Sequence, residues 1–214
     1  MSERIRVFVV EDQPAVLAAQ VRLLETSPAV EVVGTACSGE EALPLVAKAR
    51  PDVLLCDLGL PGIDGIEVTR RVRGKPGAPE VLVLTVFEEE ERVLAAVRAG
   101  AAGYLLKGAS LARVVEAIQD VHAGGTVIQP SLARVLLRHF AIDANAGPAV
   151  ALTPRETEIL QIIGKGLSNR ETAEVLGVSR ATVRTHLEHI YEKLDVTNRV
   201  EAVAEGIRQG LIET

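Results

Sequence analysis

The chain has 214 residues, of which 48% are hydrophobic and 2% are aromatic, and its formal net charge is −6. This length allows one large domain or two small ones, with an aliphatic core. The negative charge argues against a protein that coats nucleic acid or membrane by bulk charge, although it leaves room for a local basic face.

The two cysteines are too few for a disulfide framework, and Cys56 lies inside an apolar run. A buried thiol of this kind is typical of a protein in a reducing compartment. The first apolar run is too short for a signal sequence, and no run approaches the roughly 20 apolar residues of a membrane span. We therefore expect a cytoplasmic protein with no membrane partner.

From the N-terminus to about residue 124, short aliphatic runs alternate with amphipathic helical patterns. Continuous apolarity over a run favours a strand that is covered on both faces, as in a parallel sheet. Pro14 suits the first turn of the first helix, and Ser110 suits the N-cap of the last one. The alternation predicts a doubly wound α/β domain with a five-stranded parallel sheet and right-handed crossovers. The predicted strands are residues 5–10, 30–33, 53–56, 81–84 and 103–106.

The pattern changes after residue 124. Gly124 and Gly125 end the last helix, and a short helical pattern around 132–137 follows. The segment AIDANAGPAV then has the composition of a linker. We therefore expect three parts: 1–124 as the α/β domain, 125–150 as a linker with a short helix, and 151–214 as a second, smaller domain.

Residues 151–214 contain only helical patterns, each with a recognisable start or end. Two capping boxes begin the first two helices, and a glycine ends the second. Ser and Thr are expected to cap the third and fourth helices. These residues are Thr153 with Glu156, Ser168 with Glu171, Gly177, Ser179 and Thr197.

The second and third of these helices are separated by the tripeptide Gly177-Val178-Ser179, which is typical of a helix-turn-helix. In the third helix, one apolar stripe predicts the buried face. It consists of Val183, Leu187, Ile190 and Leu194. The opposite face begins with small residues, which would allow the N-terminal end of the helix to sit deep in a groove.

Polar side chains follow four of the predicted strands. Glu11 and Asp12 end the first, Asp57 in VLLCDLGLPGIDG ends the third, and Thr85 and Lys107 end the fourth and fifth. Ligands of open parallel sheets bind beyond the carboxyl ends of strands, where the strand order reverses. Three converging carboxylates need a hard cation such as Mg²⁺. Together with a hydroxyl and an ammonium, they suit phosphoryl transfer to a carboxylate nucleophile.

Residues 4–124 resemble the receiver domain of two-component response regulators, through VVED, CDLGLPGIDG, VLVLT and AGAAGYLLKG in this order. Residues 151–212 resemble the LuxR-type helix-turn-helix, through LTPRETEIL, LSNRETAEVLGVS and ATVRTHLEHIYEKL. Together the two patterns resemble the NarL/FixJ subfamily over nearly the whole chain. The resemblance implies a flavodoxin-like receiver joined to a DNA-binding domain.

For the receiver, the resemblance implies that Asp57 accepts a phosphoryl group from a sensor histidine kinase. Asp12, Asp57 and the backbone carbonyl of Gly59 would hold Mg²⁺, and Glu11 would assist through water. The protein would be a regulator and not an enzyme, apart from its own phosphorylation and dephosphorylation.

Three further roles follow from the same resemblance. Thr85 and Tyr104 would form the switch pair, and Lys107 would contact the acyl phosphate. For Thr85 and Tyr104, a plain structural role is an open alternative, because threonine is common at strand ends and a tyrosine near a sheet edge often packs without switching.

For the second domain, the resemblance implies that the helix from Arg180 enters the major groove of promoter DNA. The candidate DNA-contacting residues are Arg180, Thr182, Arg184, Thr185, Glu188 and Lys193. The helix around 200–211 would pair two copies into a homodimer on activation. Its candidate dimer residues are Val200, Val203, Ala204 and Ile207.

Two alternatives to this reading come from other functional classes. An aspartyl-phosphate phosphohydrolase needs a second acid two residues after the nucleophile, where this chain has Gly59. The helical domain could instead bind protein or RNA, because Glu188 is an acid at an exposed recognition-helix position. Residues 151–214 also hold eight Lys/Arg against ten acids. An ion pair between Arg184 and Glu188 is a plain alternative to a DNA contact.

Two other clusters are interpreted as structural. The run EEEER at 88–92 follows Phe87 at an expected helix start, where acids interact favourably with the helix dipole. His186 and His189 lie three residues apart on one helix, but no cysteine or carboxylate partner completes a zinc site.

Overall fold

The computed structural model of the chain describes residues 4–73, 77–87, 89–128, 152–196 and 198–212. It contains two compact units, Met1–His122 and Ala123–Thr214. The predicted linker helix at 132–137 and the segment AIDANAGPAV lie outside the described residues. Within the described residues, no helix is both long and apolar enough to span a bilayer.

The first unit alternates strands and helices from its start. Its strands are β1 (Ile5–Val10), β2 (Val30–Ala36), β3 (Val53–Cys56), β4 (Glu80–Thr85) and β5 (Gly103–Leu106). Its helices are α1 (Pro14–Glu25), α2 (Gly39–Ala49), α3 (Gly65–Arg73), α4 (Glu90–Arg98) and α5 (Leu111–His122). The predicted α/β class with five parallel strands is therefore confirmed.

The strands of the first unit lie in the order β2-β1-β3-β4-β5. All four pairings among the first five strands are parallel. The order reverses between β1 and β3, where Val10 pairs with Cys56. This register brings the residue after each strand, Glu11 and Asp57, to the same edge of the sheet.

The central strands are covered on both faces, as their uninterrupted apolarity predicts. β3 and most of β1 and β4 are buried, and the core is almost entirely aliphatic. Cys56 is fully buried within this core, and burial raises the pKa of its thiol above the ordinary range. Two predicted helix starts are also confirmed, because Pro14 occupies the first turn of α1 and the Ser110 hydroxyl accepts from the Arg113 amide.

Of the acidic run at 88–92, the described acids lie at the start of α4, as the sequence predicts. Glu90 and Glu91 lie in the first turn of α4, and both are exposed. Acids in a first helical turn interact favourably with the helix dipole, so this run needs no ligand to explain it.

In the second unit, the described residues between 152 and 212 form four helices: α6 (Pro154–Gly164), α7 (Asn169–Leu176), α8 (Arg180–Leu194) and α9 (Arg199–Arg208). Both predicted capping boxes are present, and the Ser179 hydroxyl caps α8. Gly177 ends α7 in the left-handed conformation, with φ of 65°. The prediction that Thr197 caps the last helix is wrong, because Asn198 is the N-cap and its side chain accepts from the Glu201 amide.

The core of the second unit joins all four helices through the apolar stripe of α8. Its buried members include Ile159, Leu160, Ile163, Val183, Leu187, Ile190 and Leu194. One polar side chain in α7 is buried among them. The Thr172 hydroxyl is fully buried and makes no hydrogen bond.

We expect Thr172→Val to raise the free energy of unfolding of the second unit by about 1 kcal/mol. An unpaired buried hydroxyl costs about 1–3 kcal/mol in desolvation, whereas threonine and valine have similar size and helix propensity. Chemical denaturation followed by circular dichroism measures the change. Thr185→Val is the control, because Thr185 is exposed on α8 and the same substitution there should change stability little. A destabilised Thr172→Val variant would contradict the expectation.

Candidate functional site

The predicted strand-end cluster is assembled at the carboxyl edge of the sheet. The Asp57 amide donates to the Val10 carbonyl oxygen at 3.0 Å, and the Glu11 amide donates to the Ala36 carbonyl oxygen at 3.1 Å. These backbone bonds continue the β1–β3 and β1–β2 pairings by one residue. Asp57 is buried at 5% exposure and Glu11 at 0%, so two carboxylates meet where little water reaches them.

Lys107 links the two acids from the end of β5. Its Nζ lies 2.5 Å from Asp57 Oδ2 and 2.7 Å from Glu11 Oε2. A third contact of 3.0 Å joins the same Nζ to Glu11 Oε1. One ammonium thus neutralises part of the charge of both carboxylates.

The protonation states follow from these contacts. Burial alone would raise the pKa of Asp57, but the nearby Lys107 ammonium, Thr85 side chain and Gly59 amide hold the pKa of this carboxyl below its usual range. Burial alone would lower the pKa of Lys107, but its hydrogen bonds to Asp57 and Glu11 raise it. At neutral pH the site therefore holds an ionised Asp57, the form that acts as a nucleophile.

The acid cluster has the donor set of a magnesium site. Carboxylate oxygens of Glu11, Asp12 and Asp57 lie within 4.8 Å of one another. The Gly59 amide donates to Asp57 Oδ1 at 3.2 Å, which places the backbone of Gly59 beside the cluster. Hard oxygen ligands with several negative charges suit Mg²⁺, so these residues fit the metal that the sequence predicts.

Thr85 contributes an unpaired hydroxyl near this cluster. Its side chain is fully buried and its Oγ1 makes no hydrogen bond. The Lys107 amide donates to the Thr85 carbonyl oxygen at 2.6 Å, which joins the ends of β4 and β5. A buried hydroxyl without a partner is available to donate to an oxygen that arrives with a ligand.

Tyr104 lies inside the sheet and is tied to the segment after β4. Its side chain is fully buried, and its hydroxyl donates to the Phe87 carbonyl oxygen at 2.8 Å. The Arg92 guanidinium lies 4.0 Å from the centroid of the Phe87 ring. Phe87 lies two positions after Thr85 in the sequence. The hydrogen bond from Tyr104 to Phe87 therefore connects Tyr104 to the segment that begins at Thr85.

Two supporting contacts of the site were not predicted from the sequence. The Gln20 amide nitrogen of α1 lies 3.2 Å from Glu11 Oε2. The Glu40 carboxylate of α2 accepts from the Ile63 amide at 3.0 Å, in the loop after Asp57. Both join different elements, at separations of 9 and 23 residues, and no motif surrounds them.

The loop after Asp57 is also pressed against the strand that carries it. A Cβ built on Gly65 would lie 2.0 Å from the Asp57 carbonyl oxygen. Glycine at this position thus permits the start of α3 to lie directly against the end of β3.

In the second unit, five of the predicted DNA-contacting residues lie on the exposed side of α8. They are Arg180, Thr182, Arg184, Thr185 and Glu188. The Arg184 guanidinium lies 3.2 Å from Glu188 Oε1, and both side chains are more than half exposed, at 60% and 58%. The plain ion pair that the spacing indicates is therefore present.

Lys193 is placed differently from the other five residues. Its Nζ lies 2.7 Å and 2.9 Å from the two carboxylate oxygens of Glu156, which is buried in the first turn of α6. Burial alone would raise the pKa of Glu156, but the ammonium and the Thr153 cap lower it. This interhelical pair ties Lys193 to the first helix of its own unit, and its side chain is 36% exposed, so a DNA contact of Lys193 stays a prediction.

The four predicted dimer residues of α9 differ in exposure. Ala204 is buried at 7% exposure, so it belongs to the core and offers little free surface. Val203 and Ile207 are partly buried and pack against the same core, and Val200 is also partly buried. The dimer role of all four residues stays a prediction, with Ala204 the least exposed of them.

Comparison with known proteins gives matches in both units. Residues 7–119 match the family model of the response regulator receiver domain, and residues 150–205 match that of bacterial regulatory proteins of the luxR family. Transcriptional regulatory protein LiaR of Bacillus subtilis is 37% identical over 209 residues, with 97% of this chain and 99% of LiaR covered. Probable transcriptional regulatory protein NarL of Mycobacterium tuberculosis is 40% identical over 212 residues, with 99% and 97% covered.

Two solved structures are similar in both fold and sequence. Response regulator ChrA of a heme-sensing two-component system has a TM-score of 0.54 and 39% identity, covering 98% of this chain and 99% of ChrA. The receiver domain of NarL from Mycobacterium tuberculosis has a TM-score of 0.56 and 38% identity, covering 57% of this chain and 99% of that domain.

Proposed function

Because the chain belongs to the NarL/FixJ-type response regulators, which join a receiver to a LuxR-type DNA-binding domain, we propose that it is a transcription factor switched by phosphorylation of Asp57. The observation that carries this proposal is the contact of Lys107 with Asp57 at 2.5 Å, beside an acid cluster with the donor set for Mg²⁺. A sensor histidine kinase is the proposed donor and promoter DNA the proposed target. Both partners place the protein in the cytoplasm.

In the proposed reaction, a carboxylate oxygen of Asp57 attacks the phosphorus of a phosphohistidine. A P–O bond forms, the P–N bond to the kinase breaks, and the imidazole leaves. Mg²⁺ held by Asp12, Asp57 and the Gly59 carbonyl oxygen, with Glu11 assisting through water, would supply charge that offsets the phosphoryl oxygens. Lys107 would bind one of these oxygens as an ammonium, and Thr85 would donate its unpaired hydroxyl to another.

The proposed switch uses the connection between the site and the face beyond β4. A phosphoryl group that engages the Thr85 hydroxyl would pull on the segment that contains Phe87. Tyr104 is hydrogen-bonded to that segment, so its side chain would change its contacts too. This couples the charge at Asp57 to a surface that includes the half-buried Phe87 and the exposed Val86.

The proposed output is DNA binding through α8 by a phosphorylated homodimer. Residues 151–214 hold eight Lys/Arg against ten acids, so a single copy would bind phosphates weakly. A dimer on two half-sites would bind more tightly than a single copy, because binding of the first copy holds the second at a high effective concentration near its half-site. Val200, Val203 and Ile207 are the proposed contributors from α9.

The experiment that tests this proposal measures binding of the purified chain to genomic DNA fragments with a small phosphodonor. Binding and dimer mass should rise only when phosphodonor and Mg²⁺ are both present, and binding should fall steeply with added salt. Phosphorylation without any DNA binding would overturn the DNA-binding output and leave the receiver function intact.

A second candidate function is a receiver whose helical unit binds protein or RNA. The exposed carboxylate of Glu188 and the excess of acids in this unit favour it. RNA retention by the phosphorylated chain in the same salt series, together with no shift of DNA fragments, would favour this alternative.

Substitutions in the Arg184–Glu188 pair should change DNA affinity in opposite directions. Arg184→Ala should weaken binding about 10- to 100-fold, because a base or phosphate contact of arginine is worth about 1–3 kcal/mol. Glu188→Gln should strengthen binding, because it frees Arg184 and removes a charge that repels phosphate. Fluorescence anisotropy on a bound fragment measures both changes.

The matched control is Glu174→Gln, which opens the corresponding pair with Arg170 on α7, 3.9 Å apart. It should change affinity less than Glu188→Gln. Weaker binding by Glu188→Gln would show instead that Glu188 itself contacts a base, as an acceptor from cytosine.

A further inference from the structure

Gln20 lies on the inward side of α1, where it contacts a proposed metal-site residue. Its amide nitrogen is 3.2 Å from Glu11 Oε2, and its side chain is half-buried. Because an ionised carboxylate only accepts hydrogen bonds, the amide must present its N–H to Glu11. The contact brings a neutral donor from a helix to an acid at the end of β1.

The environment of Glu11 makes this donor significant. The carboxylate is fully buried, and its other partner in the site is Lys107, which is shared with Asp57. In the proposed reaction, the ammonium would bind a phosphoryl oxygen at Asp57, and its contacts with Glu11 would weaken. A buried carboxylate that loses a donor is free to rotate and costs free energy.

Gln20 differs from Lys107 in both charge and attachment. It carries no charge, so it does not compete with a cation for the acid cluster. It stands on α1, whereas the other residues of the cluster follow strands. Its contact with Glu11 can therefore persist while the ammonium moves.

We propose that Gln20 is a positioning residue of the metal site, whose amide keeps the Glu11 carboxylate oriented for Mg²⁺ both while Lys107 contacts Glu11 and when Lys107 turns to the phosphoryl group. This inference rests on the proposed function of the acid cluster as a magnesium site. Gln20 acts through Glu11 and contacts neither the metal nor the phosphoryl group. Hydrogen bonds to metal ligands set their orientation, and their loss typically lowers metal affinity about 10- to 100-fold.

The test is a Mg²⁺ titration of the full chain without phosphodonor, followed by the amide resonances of Gly59 and Lys107. Gln20→Met keeps the length of the side chain and removes the donor, and it should weaken Mg²⁺ binding about 10-fold. Gln119→Met is the control, because Gln119 is exposed on α5 and outside the site. Its Mg²⁺ affinity should equal that of the wild type.

Phosphorylation from phosphoramidate separates positioning from a merely structural role. For Gln20→Met, the half-saturating Mg²⁺ concentration should rise about 10-fold, and the maximal rate at saturating Mg²⁺ should return to the wild-type value. A structural role would lower the melting temperature without this change in Mg²⁺ dependence. If Gln20→Met does not fold, Gln20→Asn retracts the amide and should show the same weaker Mg²⁺ binding.

Different results would contradict the role of Gln20 and the magnesium site itself. Equal Mg²⁺ affinity of wild type and Gln20→Met overturns the role of Gln20 and leaves the magnesium site in place. No Mg²⁺ binding by the wild type overturns the site itself, and with it the role of Gln20.

Discussion

Asp57→Asn is expected to abolish phosphoryl uptake, because the asparagine amide is not a nucleophile at neutral pH. The substitution keeps the size of the side chain and its place against Val10. Intact-protein mass spectrometry after incubation with phosphoramidate and Mg²⁺ measures the outcome. The variant should gain no phosphoryl group, and its DNA binding should not respond to the donor.

Two further variants show whether Asp57→Asn loses phosphoryl uptake because the nucleophile is gone or because the cluster has one negative charge fewer. Asp12→Asn also removes a negative charge but keeps the nucleophile, so its uptake should recover at higher Mg²⁺ concentration. Glu11→Gln should behave in the same way. Undiminished uptake by Asp57→Asn would contradict the assignment, and peptide mapping would then identify another acceptor.

The site was predictable because the order of the strands decides which strand ends are neighbours. In a parallel sheet whose order reverses between β1 and β3, the residues that follow these strands must be neighbours. Asp57 and Glu11 could be placed together from the ends of two apolar runs, without any knowledge of their side-chain contacts. The bounds of β1, β3 and β5 were predictable for a similar reason, since a polar residue or turn follows each run.

Contacts between elements were not predictable in this way. Glu156 and Lys193 are 37 positions apart, and their pairing depends on how α6 crosses α8. The sequence indicates the role of Glu156 in a local capping box, but a local pattern contains no information about the ammonium that its carboxylate also binds. The Gln20–Glu11 contact was missed for the same reason.

The sequence also did not predict which apolar residues of the last helix, α9, face the core. Ala204 and Val203 are adjacent apolar residues, and a helical pattern alone does not say which of them faces the core. The packing of α9 decides it, with Ala204 buried and Val203 half-buried. The N-cap at Asn198 is a similar case, because threonine and asparagine can both cap a helix and the sequence alone does not choose between neighbouring positions.

Lys107→Met is expected to lower the rate of phosphorylation about 100- to 1,000-fold, the usual cost of losing one group that stabilises charge developing on an oxygen. Methionine fills the same volume without the ammonium. The Mg²⁺ affinity should change in the opposite direction and become tighter, because the cation that now lies on Glu11 and Asp57 competes with the metal. A time course of phosphorylation by phosphoramidate measures the rate, and a separate Mg²⁺ titration measures the affinity.

The pH dependence provides an independent check on this variant. In the wild type, contacts with Lys107 hold the pKa of Asp57 below its ordinary range, so uptake should persist to acidic pH and fall only once the carboxylate is protonated. In Lys107→Met, burial remains and the lowering contact is gone, so the pKa rises and uptake should fall at a higher pH. Lys165→Met, an exposed lysine of the second unit, should leave the profile unchanged. If phosphoryl uptake by Lys107→Met falls at the same acidic pH as in the wild type, the ammonium does not govern the ionisation of Asp57.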